Sequence, residues 1–163
     1  KEHLQRFRRN RRTIIKSSLT RYVQMWLVMY GLNLAIILIT GLSSSQNQDT
    51  VVQQLTQSPL QIMLVTCVFA PIVEETVFRG AVFTTLRSRT CFRNAALISG
   101  FLFGLLHVFT SLLRGNFSDC IFILVYGTMG YLLCAAEEEN QTLLSPLFMH
   151  GLNNLISVVL ILL

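Results

Sequence analysis

Five long apolar runs restrict what this chain can become more than any other feature. They cover about Tyr22–Leu42, a stretch from Pro59 to near Leu86, Ala95–Leu113, Cys120–Ala136 and Leu143–Leu163. Each holds roughly 17–27 residues, and a bilayer needs about 20 in a helix. Backbone N–H and C=O groups find no water in hydrocarbon, so such runs close their hydrogen bonds within helices. The fold class is therefore all-α: a polytopic transmembrane helical bundle of about five spans. Charged residues make up 13% of the chain and apolar residues 52%, which leaves little room in 163 residues for a soluble domain. The sequence begins at Lys1 rather than Met, which is compatible with further spans upstream. No short apolar core with a small-residue cleavage site is visible near the start.

Charge sets the orientation. Lys1, Arg6, Arg8, Arg9, Arg11, Arg12, Lys16 and Arg21 hold eight of the thirteen basic residues. Such a cluster can bind nucleic acid or anionic lipid. Followed directly by an apolar run with Tyr22, Trp26 and Tyr30 at its start, it reads as a cytoplasmic juxtamembrane anchor with no nucleic-acid partner. The loop carrying Arg87, Arg89 and Arg93 falls on the same side, whereas Ser43–Ser58 has no Lys or Arg and the next loop on that side has Arg114 alone. The positive-inside rule then puts the N-terminus in the cytoplasm, and Glu137–Glu139 carry little weight in it. Three parts follow: a basic tail (1–21), a first span with a polar external loop (22–58), and a core of four spans (59–163). His3 belongs to the tail. Cys67, Cys91, Cys120 and Cys134 show no metal-ligand or disulfide spacing and read as packing residues.

Inside the second run stand Glu74 and Glu75, with Arg79 one turn on. A carboxylate at bilayer depth costs roughly 2.5–3.5 kcal/mol on insertion scales, so two together need a function or a partner. Glu75 and Arg79 are i,i+4 and share a face, where they can pair. Glu74 points about 100° away, and without that partner it is the better proton acceptor for a water molecule. At 1.5 Å per residue Glu74 lies roughly 19 Å from the cytoplasmic end of its span, His107 about 18 Å and Asn154 about 16 Å along theirs. His150 is about 10 Å in. These polar residues from three spans fall in one layer.

Pro71, three residues before Glu74, removes a helix hydrogen bond and frees a carbonyl that needs another donor. Gly100 and Gly104 form a GxxxG pair suited to close helix approach. His150 and Asn154 are i,i+4 and offer donors for a developing oxyanion, while Asn153 faces a helix contact. Ser145-Pro146 reads as N-cap and first residue of the last helix. A carboxylate, a histidine and two donors are the parts of an amide hydrolase. Two histidines and a glutamate are also a zinc set, although HExxH is absent. A peptide-binding scaffold and a proton-coupled carrier fit an intramembrane carboxylate as well.

At these residues the sequence resembles the CAAX protease and bacteriocin-processing (CPBP) family of glutamate-type intramembrane proteases. Its motifs read here as Glu74-Glu75-Thr-Val-Phe-Arg79, Phe103-Gly-Leu-Leu-His107 and His150-Gly-Leu-Asn-Asn154, in order, within Leu60–Leu163. The resemblance implies a helical membrane fold around a water-filled cavity and an endopeptidase without cofactor or metal. Glu74 would activate water with help from His107, His150 and Asn154 would stabilise the oxyanion, and Glu75 and Arg79 would support the site. The implied partners are the lipid bilayer and a membrane-associated or lipidated peptide substrate; the oligomeric state is left open. Members trim prenylated CAAX proteins or serve bacteriocin immunity and peptide processing, and the compact chain fits a bacterial plasma membrane.

Overall fold

Residues 2–30 contain neither glycine nor proline, and the helix they form does not stop where the basic tail gives way to the apolar run. In the computed structural model, which describes residues 2–163, α1 runs over Glu2–Thr40. Lys1 of the basic tail lies outside the described residues. α1 is two helical segments that meet at a kink at Asn10 (φ −119°, ψ 24°), and the second runs without a break through residue 22, where the sequence pattern separates the tail from the first span. At 1.5 Å per residue the part of α1 after Asn10 is about 45 Å long, longer than the hydrocarbon thickness. Arg, Leu, Lys and Gln all favour helix, which explains why the charge boundary is not a structural one. Gly41 ends α1 at φ 75°, its N–H donating to the Ile37 carbonyl at 2.9 Å, as a left-handed cap residue does.

The polar segment after it is not a plain loop. It holds α2 (Gln46–Gln57), whose N-cap Ser45 accepts from the Gln48 N–H. Ser45 and Gln48 have the S-x-x-Q spacing of a capping box, the sequence signal for this helix. Leu55 buries its side chain beneath it.

The next span, α3 (Pro59–Arg87), changes pitch twice. It widens to a π-helix over Val65–Phe69 and again over Thr76–Phe83. The first widening precedes Pro71, and such single-turn bulges are a common response to a missing bond in the ladder. The remaining helices are α4 (Phe92–Leu113), α5 (Ile123–Asn140), preceded by a 3₁₀ segment at Phe117–Phe122, and α6 (Leu144–Leu162). Among the described residues five helices are long and apolar enough to cross a membrane.

α5 is the core of the bundle and packs against α4, α1 and α6. Its contact with α4 runs through glycine on both sides. A Cβ on Gly100 would meet the Gly127 carbonyl oxygen at 2.6 Å, and one on Gly104 would meet the Ile123 oxygen at 2.9 Å. Around this seam Phe103, Met129, Leu133 and Met149 bury completely or nearly so. Large apolar residues face outward instead on all five long helices, among them Ile39, Val73 and Leu97, as lipid contact requires.

At the opposite end of the bundle α6 begins at Leu144, one residue before the expected cap. Ser145 is not an N-cap. Its hydroxyl is shared with Ser18 of α1 at 2.7 Å and accepts from the Asn140 amide at 3.0 Å. The acidic triplet is the last turn of α5, where Glu139 pairs with Arg21 and Glu138 with Arg87. His3 also docks here: its carbonyl accepts from Thr142 and its Nδ1 from the Leu143 N–H.

Candidate active site

Pro71 explains how α3 meets α6. Within the π-helix the Ala70 N–H bonds the Val65 carbonyl, five residues back. The next donor in that register would be residue 71, which has no N–H. The Thr66 carbonyl is therefore left open, and the Asn154 side-chain amide donates to it at 2.9 Å. One turn earlier on α6, Gly151 faces the Cys67 carbonyl, where a Cβ would come within 3.1 Å. Proline and glycine together bring α6 against the unwound stretch.

Two turns on, Glu75 and Arg79 lie behind the cavity wall, 2% and 0% exposed. Arg79 Nη1 donates to Glu75 Oε1 at 2.9 Å, and Nη2 donates to the Gly130 carbonyl at 2.9 Å. The guanidinium also lies over the Phe103 ring, 4.6 Å from its centroid. Glu75 Oε1 has a second partner, His150 Nδ1 at 2.7 Å. A carboxylate only accepts, so this nitrogen carries a proton and Nε2 is the atom turned elsewhere.

That atom faces Glu74. The Glu74 Oε2 lies 3.8 Å from His150 Nε2 and 3.8 Å from His107 Nε2, and it has no hydrogen-bond partner in the protein. His107 places its own Nδ1 2.9 Å from the Phe103 carbonyl, which again assigns the proton to Nδ1 and turns Nε2 toward the carboxylate. Neighbouring glutamates thus have opposite surroundings. Glu75 is bonded to a cation and a histidine, whereas Glu74 opens into a cavity of about 420 Å³. His107, His150 and Asn154 line the same cavity, so four candidate residues from three helices converge and the other two stand behind them.

Asn153, expected at a helix contact, lines the cavity too. Tyr126 of α5 carried no motif signal, yet its ring stacks on His107 with centroids 4.5 Å apart and planes 23° from parallel. Trp26, Tyr30 and Asn33 of α1 and Ser43, Ser44, Ser45, Asn47 and Gln48 also line the cavity. Among the described residues no group of three or more His, Cys, Asp or Glu side chains is arranged to hold a metal ion.

Residues 56–156, carrying all six of these side chains, match the family described as type II CAAX prenyl endopeptidase Rce1-like. The chain belongs to this family. It is also similar to a curated Bacillus subtilis protein named "Putative membrane peptidase YdiL", 29% identical over 116 residues, which cover 71% of this chain and 43% of that protein. The Rce1-like chain thus aligns with less than half the length of this relative. No solved structure matches this chain.

Proposed function

We propose that this Rce1-like chain is an intramembrane endopeptidase that hydrolyses a peptide bond in a hydrophobic, membrane-associated or lipid-modified peptide. The observation that carries the reading is the Glu74 carboxylate, unbonded in a cavity and equidistant, at 3.8 Å, from two histidine Nε2 atoms. A water molecule between these groups reaches both carboxylate and imidazole, and a base acting directly or through one water needs that geometry. Glu74 takes a proton from the water while His107 Nε2 orients it. The water oxygen forms a bond to the scissile carbonyl carbon, and the carbonyl oxygen becomes an oxyanion.

His150 and Asn154 receive that charge. Asn154 has spent one amide proton on Thr66 and has a second available. His150 must carry protons on both nitrogens to donate from Nε2, and the Glu75 carboxylate at Nδ1 balances the resulting charge. Collapse of the tetrahedral intermediate breaks the C–N bond, with the proton held by Glu74 passing to the leaving nitrogen. Glu75 and Arg79 then act through His150, holding its ring and its charge. Preorganised donors of this kind account for large parts of enzymatic rate enhancement. The same proposal places the chain in a bacterial plasma membrane with the start of α1 in the cytoplasm, supported by its basic residues.

The test uses the detergent-purified chain and a fluorogenic prenylated CAAX peptide. Glu74→Gln is expected to lower kcat roughly 10²–10⁴-fold, the range for loss of a general base. Full activity in Glu74→Gln would remove Glu74 from the chemistry. Cleavage is expected to survive chelators; activity lost to a chelator and restored by zinc would overturn the metal-free mechanism. Comparative peptidomics of cells with wild-type and Glu74→Gln protein identifies the natural substrate.

A further inference from the structure

His107 is held by less than its role requires. Its one hydrogen bond to the protein, at Nδ1, goes to the Phe103 carbonyl of its own helix. That bond leaves the ring free to tilt about the N···O axis unless its faces are packed. Phe103 contacts it at a centroid distance of 4.5 Å with planes 40° apart. Tyr126 contacts it at the same distance and nearly parallel, at 23°.

Tyr126 is itself fastened from outside the bundle. Its hydroxyl lies 2.7 Å from the Ser45 hydroxyl. Ser45 is the N-cap of α2 and is buried, with 2% of its surface exposed. The adjoining Gln46 N–H donates to the buried Asp119 carboxylate at 3.0 Å, and Ser111 of α4 donates to the same oxygen at 2.6 Å. The start of α2 is therefore anchored to two other elements, and Ser45 transmits that anchorage to Tyr126. Both Ser45 and Tyr126 line the cavity that contains Glu74.

We propose that Tyr126 is a positioning residue that holds the His107 imidazole in line with Glu74, and that the α2 cap residue Ser45 holds Tyr126. This rests on the role given to His107 above. The polar segment outside the span then sets the angle of a catalytic ring, because the stacked tyrosine spans the distance between them. A rotated imidazole keeps its Phe103 bond but no longer directs Nε2 at a water beside Glu74. Displacement of a reacting group by about 1 Å can cost 10²-fold.

Steady-state kinetics of the purified chain on the fluorogenic prenylated CAAX peptide test this, with thermal midpoints measured alongside. Tyr126→Leu is expected to lower kcat roughly 10–100-fold with KM within about twofold, and to displace the pH profile of kcat. Tyr126→Phe keeps the packing and removes the hydroxyl that reaches Ser45, whereas Ser45→Ala removes that link together with the α2 cap bond to Gln48, so its thermal midpoint is expected to fall with the loss of capping. Each is expected to lower kcat roughly 3–10-fold, and the double variant no further than the worse single, since both remove one contact. Unchanged kcat in Tyr126→Leu, with Glu74→Gln inactive, overturns the positioning role and leaves the reading of the site intact. Additive losses in the double variant, or a lowered midpoint at unchanged kcat, overturn the Ser45 link. Full activity in Glu74→Gln is a different result and overturns the reading of the site itself.

Discussion

Arg79→Met is the most demanding test of how the polar layer is held, because methionine nearly fills the space and carries no charge. Arg79 is fully buried and serves three groups: Glu75 at 2.9 Å, the Gly130 carbonyl at 2.9 Å, and the face of Phe103. Removing one partner of a buried ion pair costs about 3–5 kcal/mol, because the other charge stays in a medium that cannot solvate it. The cation–π contact contributes about 0.5–2 kcal/mol, partly contained in that figure. His150 remains bonded to Glu75 in the variant, which holds the total to about 3–5 kcal/mol. For a chain of this length about 1 kcal/mol moves the melting midpoint by roughly 2–4 °C, giving a fall of roughly 6–20 °C. With the exposed Cys91 and Cys120 and the half-buried Cys67 replaced by serine or alanine, a thiol-reactive dye reads the transition through Cys134, which is completely buried. The double variant Glu75→Gln/Arg79→Met leaves no unpaired charge and is expected to melt above the single variant. A single-variant shift under about 3 °C, or a double variant less stable than the single, would refute the argument that an uncompensated carboxylate is the source of the cost.

Three further outcomes follow from the geometry. Gly100→Ala is expected to lower stability by about 1–3 kcal/mol, read as a lower melting midpoint, because its Cβ would stand 2.6 Å from a backbone oxygen, whereas Gly127→Ala meets nothing closer than 3.4 Å and should be near neutral. Pro71→Ala restores an N–H that competes with Asn154 for the Thr66 carbonyl. It should lower kcat by roughly tenfold or more with little loss of folded protein, measured on the same peptide, and unchanged kcat would disconnect Pro71 from Asn154. A membrane-impermeant thiol reagent applied to intact cells should label Cys120 and spare Cys91, both exposed, and the reverse pattern would invert the orientation.

The parts of this protein written in local chemistry were readable from the sequence. Run length made the five spans, and the i,i+4 spacing of Glu75 and Arg79 made their pair. The Gly100–Gly104 spacing announced a close contact, and the order of the three motifs named the family. Less legible were features whose sequence signal competes with a stronger one. The capping box at Ser45 was hidden in a polar stretch that looks like loop, and the helical tail was hidden behind its charge. The start of α6 moved because Ser145 serves Ser18 and Asn140 rather than its own helix.

Tertiary structure decided the rest. Helical phase separates Glu74 from Glu75, but only packing turns two histidines from other helices so that one nitrogen of each faces Glu74. Only packing gives Asn154 the carbonyl that Pro71 leaves free, a match between a missing N–H on one helix and an amide on another. Tyr126 belongs to no motif because its partners, Ser45 and His107, lie 81 and 19 positions away. The sequence alone determined that there must be buried polar groups in a helical bundle, since burial cost and helical period are local quantities. Which of them face one another is a property of crossing angles and close approach, and those exist only once the helices have met.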